Sequence, residues 1–143
     1  MTSSTLLALT LLFAQAQDGP VATTPAVEVP VPAVAAPSSP PPETDFELVA
    51  WCHGVLSGHM QLAERIQEVE PLDEVQQRIG NVYLRGYEEA LGASPDAKMA
   101  DGESRAVAAR SAGLGNWRPA METPDIRLAA DSYLAWQLPG RCE

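Results

Sequence analysis

The residues with the greatest chemical potential in this chain are two cysteines, Cys52 and Cys142, and two histidines, His53 and His59. An even cysteine count in an exported chain argues for a disulfide. That bond would staple the C-terminal tail to a helix face and close a loop of about ninety residues, worth roughly 4–5 kcal/mol by chain entropy. Redox catalysis would require a neighbouring Cys-x-x-Cys pair, and the chain has none.

The histidines do not form a metal pair. On a helix their six-residue offset sets them about 120° apart, whereas chelation on one helix uses offsets of three or four. His59 falls within an apolar stripe, where a hydrogen-bonded core histidine is the simpler reading. A ligand, metal or haem site would have to combine His59 with Met60 or Met99, since no third histidine exists. No metal ligands and no cofactor are assigned.

Nucleophilic catalysis would draw on Ser57 or Ser111 with a histidine. Ser57 and His59 point about 200° apart on a helix, and no Gly-x-Ser-x-Gly elbow occurs. Asp96 to Gly102 departs from a calcium loop at Lys98, and its glycine comes one residue late. Gly113-Leu114-Gly115 lacks the third glycine and the preceding strand of a nucleotide fingerprint. The acidic pairs Asp73-Glu74 and Glu88-Glu89 read as solvated helix faces. No catalytic constellation emerges, and the chain is not expected to be an enzyme. Of the three tryptophans, Trp51 and Trp136 read as packing groups. Trp117, beside Arg118 in an expected loop, is the candidate partner contact, because loops carry recognition.

What must position these residues is one domain, since 143 residues leave room for no more. Nineteen acidic against nine basic residues give a net charge of -10, which repels nucleic acid and anionic membrane surfaces at long range. Leu6 to Ala14 form an apolar run of signal-peptide length, too short to span a bilayer, and Ala14-Gln15-Ala16 supplies a small-x-small cleavage site. Residues 1–16 are therefore expected to be a signal peptide, although the segment before the run carries no lysine or arginine. Export to the periplasm or beyond is the consequence, with no membrane insertion after cleavage. Residues 17–43 are rich in proline, alanine and valine and read as a disordered linker.

The folding unit is expected over 44–143. Thr44 and Glu47 form a capping box. Behind them Leu48, Cys52, Val55, His59, Leu62, Ile66 and Val69 recur at helical spacing, which predicts a core-facing helix to about Glu70. Pro71 should open a second helix, on which Leu72, Val75, Ile79, Val82 and Gly86 share one face and Gly92 caps the end. Gly86 within that stripe would admit another helix at close range. Ser94-Pro95-Asp96 and Thr123-Pro124-Asp125 offer matching starts for a third helix, closing at Gly113, and a fourth, running to about Leu138. No alternating strand pattern is present. The expectation is an all-α fold: a small bundle of about four helices with one disulfide. With catalysis disfavoured, the expected role is binding of another protein or an envelope component, the alternative being a ligand-, metal- or haem-binding bundle that uses His59 and a methionine.

Overall fold

A computed structural model describes residues 39–143. The expected signal peptide, and all of the proline-rich segment before Ser39, lie outside the described residues. What is described is all-helical: α1 (Asp45–Ile66), α2 (Glu74–Ala93), α3 (Gly102–Gly115), α4 (Arg118–Glu122) and α5 (Ile126–Leu134), with 3-10 turns at Pro95–Lys98 and Gly140–Cys142.

The start of α1 is explained by its cap. The Glu47 amide donates to Thr44 Oγ1 at 3.4 Å, and the Thr44 hydroxyl donates to the Glu47 carboxylate at 2.7 Å. The helix then buries nearly its whole circumference, from Phe46 to Ile66, which is the behaviour of a central helix with apolar residues on most sides. It ends at Ile66, a turn before Pro71, and Asp73 caps α2 by accepting from the amides of Val75 and Gln76.

The tightest packing is between α1 and α3, and glycine makes it possible. A Cβ on Gly54 would overlap the carbonyl oxygen of Arg110, and one on Gly113 would overlap that of Trp51. Each helix thus offers a bare backbone to the other. One turn further along α1, Gly58 makes the same concession to the indole of Trp117.

The two later starts diverge. Ser94 accepts from the Asp96 amide, but it opens only a 3-10 turn, and α3 begins at Gly102. That glycine sits against the Asp96 carbonyl, a site closed to any larger residue. At the second start Asp125 is the cap, accepting from the amides of Arg127 and Leu128, and α5 ends at Leu134, before the expected Leu138.

Cys52 and Cys142 are disulfide-bonded across 90 residues, with their Cα atoms 5.6 Å apart. Cys52 lies inside the core cluster formed by Phe46, Trp51, Val55 and Leu91, and Tyr87 adds a second tie by donating its hydroxyl to the Cys142 carbonyl. Burial pushes the Tyr87 hydroxyl up to about 12, so it remains a donor throughout the neutral range. A disulfide of this kind fits an oxidising, non-cytoplasmic compartment. Among the described residues, no helix is long and apolar enough to cross a membrane.

Candidate functional site

Two adjoining surfaces concentrate the unusual chemistry. One is a cleft between α1, α2 and the C-terminal segment. The other is the outer face of α2.

His59 forms the floor of the cleft. Its imidazole stacks on Tyr133 with ring centroids 4.2 Å apart, and on Trp136 at the same distance, while Trp117 closes a third side at 5.3 Å. Among the described residues the ring has no hydrogen-bond partner, its Nδ1 being buried, and stacking holds it there, unlike the hydrogen-bonded core histidine expected from the sequence. Burial holds its pKa down to about 4, so the ring is neutral at physiological pH. The cleft above it has a volume of about 260 Å³, with Met60, Ile79, Tyr83 and the C-terminal Glu143 among its walls. Its lining is mixed, with aromatic and aliphatic side chains set beside the polar groups of Gln76, Gln77 and Glu143. Met60 therefore shares the cleft with His59, whereas Met99 stands exposed beyond the first 3-10 turn.

The apolar stripe of α2 is not turned toward α1. The residues that face α1 are Gly80, whose bare backbone receives Met60, together with Tyr87 and Leu91. At 100° per residue the stripe lies roughly 120° around the helix from them. Leu72, Val75, Ile79, Val82 and Tyr83 are consequently between 38% and 60% exposed. Nothing stands within 4 Å of a Cβ at Gly86. Ile79 and Tyr83 also line the cleft, so stripe and cleft form one continuous surface.

Trp117 is 5% exposed and lies within the core cluster of Leu62, Ile66 and Ala120. The space Gly58 leaves draws the indole inward, where its N–H donates to the Val55 carbonyl at 2.7 Å. The segment expected as a loop is largely helical, being the end of α3 followed by α4. Arg118 remains outside, 3.9 Å from Glu122. Trp51, Trp117 and Trp136 also wall a second cavity of about 270 Å³, whose rim includes Asn116, the acceptor for the Ser39 amide at 3.0 Å. The indole N–H of Trp51 is buried with no acceptor among the described residues.

One arrangement resembles catalytic machinery. Ser57 Oγ lies 3.3 Å from His53 Nδ1, and His53 Nε2 lies 3.4 Å from Glu88 Oε1. The serine and histidine are four residues apart on α1, so the spacing alone could have paired them; Glu88 arrives from α2. Burial, followed by the nearby Arg110 charge, lowers the His53 pKa, while Glu88 opposes the shift. Both contacts are long, and Ser57 sits in mid-helix where the surrounding amides already donate within the helix. The group reads more simply as a satisfied buried histidine. Among the described residues no group of three or more His, Cys, Asp or Glu is placed to hold a metal ion.

Comparisons with family models, curated proteins and solved structures returned no match to this chain.

Proposed function

We propose that this protein is an exported, non-catalytic binding module that engages another protein through the outer face of α2 and the cleft beside it. The observation that carries this reading is the row of large apolar side chains running from Leu72 along α2, at two-turn repeats, left between 38% and 60% exposed. Scattered apolar residues on a surface are ordinary, but a continuous row along one helix marks a binding face. The row has the spacing with which an amphipathic helix is recognised in a groove. Export is supported by the apolar run Leu6 to Ala14, the Ala14-Gln15-Ala16 site and the Cys52–Cys142 disulfide.

A photo-crosslinking amino acid placed at Val82 tests the reading, with one at the equally exposed Val107 on α3 as control. In the native extract, an adduct with a discrete protein at position 82 and none at 107 is expected. The same adducts from both positions, or none at 82, would contradict it.

A second reading, a small planar ligand seated in the cleft, is favoured by the aromatic walls around the neutral His59 and by Met60 lining the same space. It predicts a coloured, metal-bearing or ligand-bearing protein as purified. Of the exposed apolar row only Ile79 and Tyr83 line the cleft, so a cleft ligand leaves Leu72, Val75 and Val82 without a role, and protein binding accounts for the whole row.

A further inference from the structure

Within the binding role proposed above, the chemistry of α2 narrows the partner. In heptad register Ile79 and Gly86 take a positions, with Leu72 in phase just ahead of the helix, and Val75 and Val82 take d positions; the next d position is Glu89, where the apolar stripe ends. The flanks are asymmetric. Arg78 and Arg85 occupy successive g positions, while the e positions hold Gln76, Tyr83 and Ala90. Neither arginine belongs to any of the ion pairs among the described residues, which involve His53, Arg105 and Arg118. In a chain of net charge -10, two unpaired cations thus line one edge of an exposed apolar stripe.

Those flanks decide against a second copy of this chain. An antiparallel pair of α2 helices would set g against g, placing Arg78 and Arg85 opposite one another. A parallel pair would set g against e, placing the arginines opposite Gln76, Tyr83 or Ala90. In neither orientation does an e or g position of the second copy set a carboxylate against an arginine. Flanking charges of this kind select partner and orientation.

We infer that α2 docks an amphipathic helix of a different protein, one with an apolar heptad stripe and carboxylates seven residues apart along its edge, which pair with Arg78 and Arg85. Gly86 lets that helix approach most closely at the C-terminal end of the stripe, where a Cβ would meet nothing in the free protein.

The test uses two labelled synthetic helices of three heptads with leucine at a and d, one with glutamate and the other with lysine at e and g. Their binding to the full, oxidised chain is read by fluorescence anisotropy. The net charge of -10 favours the lysine peptide at long range, so a preference for glutamate must come from local cations. The glutamate peptide is expected to bind at least tenfold more tightly at low salt, with the preference shrinking as salt is raised. The Arg78→Glu/Arg85→Glu variant should invert the order, and Val75→Asp/Val82→Asp should abolish binding of both, with far-UV circular dichroism unchanged. Equal binding of the two peptides, lost with the valine variant, would overturn the acidic partner while leaving protein binding by the stripe in place. Absence of binding by either peptide would also overturn it, and the protein-binding reading would then rest on the Val82 crosslink. A self-associated dimer in sedimentation, dispersed by Val82→Asp, would assign the stripe to a second copy and overturn it as well.

Discussion

The imidazole of His59 lies flat against the ring of Tyr133, with centroids 4.2 Å apart and planes 8° from parallel. Because burial holds the His59 pKa at about 4, the folded protein binds this proton far more weakly than the unfolded chain, whose histidine titrates near 6.5. Stability from this group is fully present above about pH 6.5 and is lost as pH falls from there toward 4, since the unfolded state gains the proton first. The difference amounts to about 3 kcal/mol at 1.36 kcal/mol per unit. His53, also lowered, acts in the same direction. His59→Phe, which keeps the stacking surface, should flatten most of the slope in denaturant titrations between pH 4 and 6.5. An unchanged slope would contradict the neutral, buried imidazole.

Two glycines should respond in opposite directions. Gly54→Ala drives a methyl into the carbonyl of Arg110 across the α1–α3 contact, where only backbone can give way. A loss of about 2 kcal/mol or more is expected. Gly86→Ala meets nothing within 4 Å and lies within α2, so it should stabilise by about 0.5–1 kcal/mol. Urea denaturation of the two variants reads both signs.

The Cys52–Cys142 bond closes most of the folded unit. Removing it by Cys52→Ala/Cys142→Ala should cost about 2–5 kcal/mol. The tail held by the bond and by Tyr87 should become the first segment to exchange its amide protons. Native mass without reductant should show no free thiol.

The stripe residues should be nearly neutral for folding. Val75→Asp and Val82→Asp each remove an exposed side chain, so changes within about 0.5 kcal/mol are expected. Were the stripe packed against the bundle, each would bury a charge and cost several kcal/mol. Thermal melts of the two variants distinguish these cases.

The helical class and the disulfide were legible because their signals are local or few. Thr44 and Glu47 announce the start of α1 within four residues, and two cysteines allow only one intramolecular pairing. Periodicity identified one face of α2 correctly but carries no information on what that face meets. Gly80, not Gly86, makes the close approach to α1, and that choice depends on Met60 of another helix. Trp117 went inward for a similar reason, since the room for its indole is made by Gly58 at a remote position. The aromatic box of His59 draws Trp117, Tyr133 and Trp136 from the far end of the chain, and no spacing rule links them. Ser57 and His53 are the exception: their four-residue offset on one helix was a readable signal.

The role proposed for this protein depends on protein binding by the outer face of α2. It is tested most directly by quantitative affinity capture from the native extract, comparing the wild-type chain with the folded Val75→Asp/Val82→Asp variant. At least one protein should be enriched by the wild type and lost with the variant. Identical co-purifying sets for the two baits would contradict it.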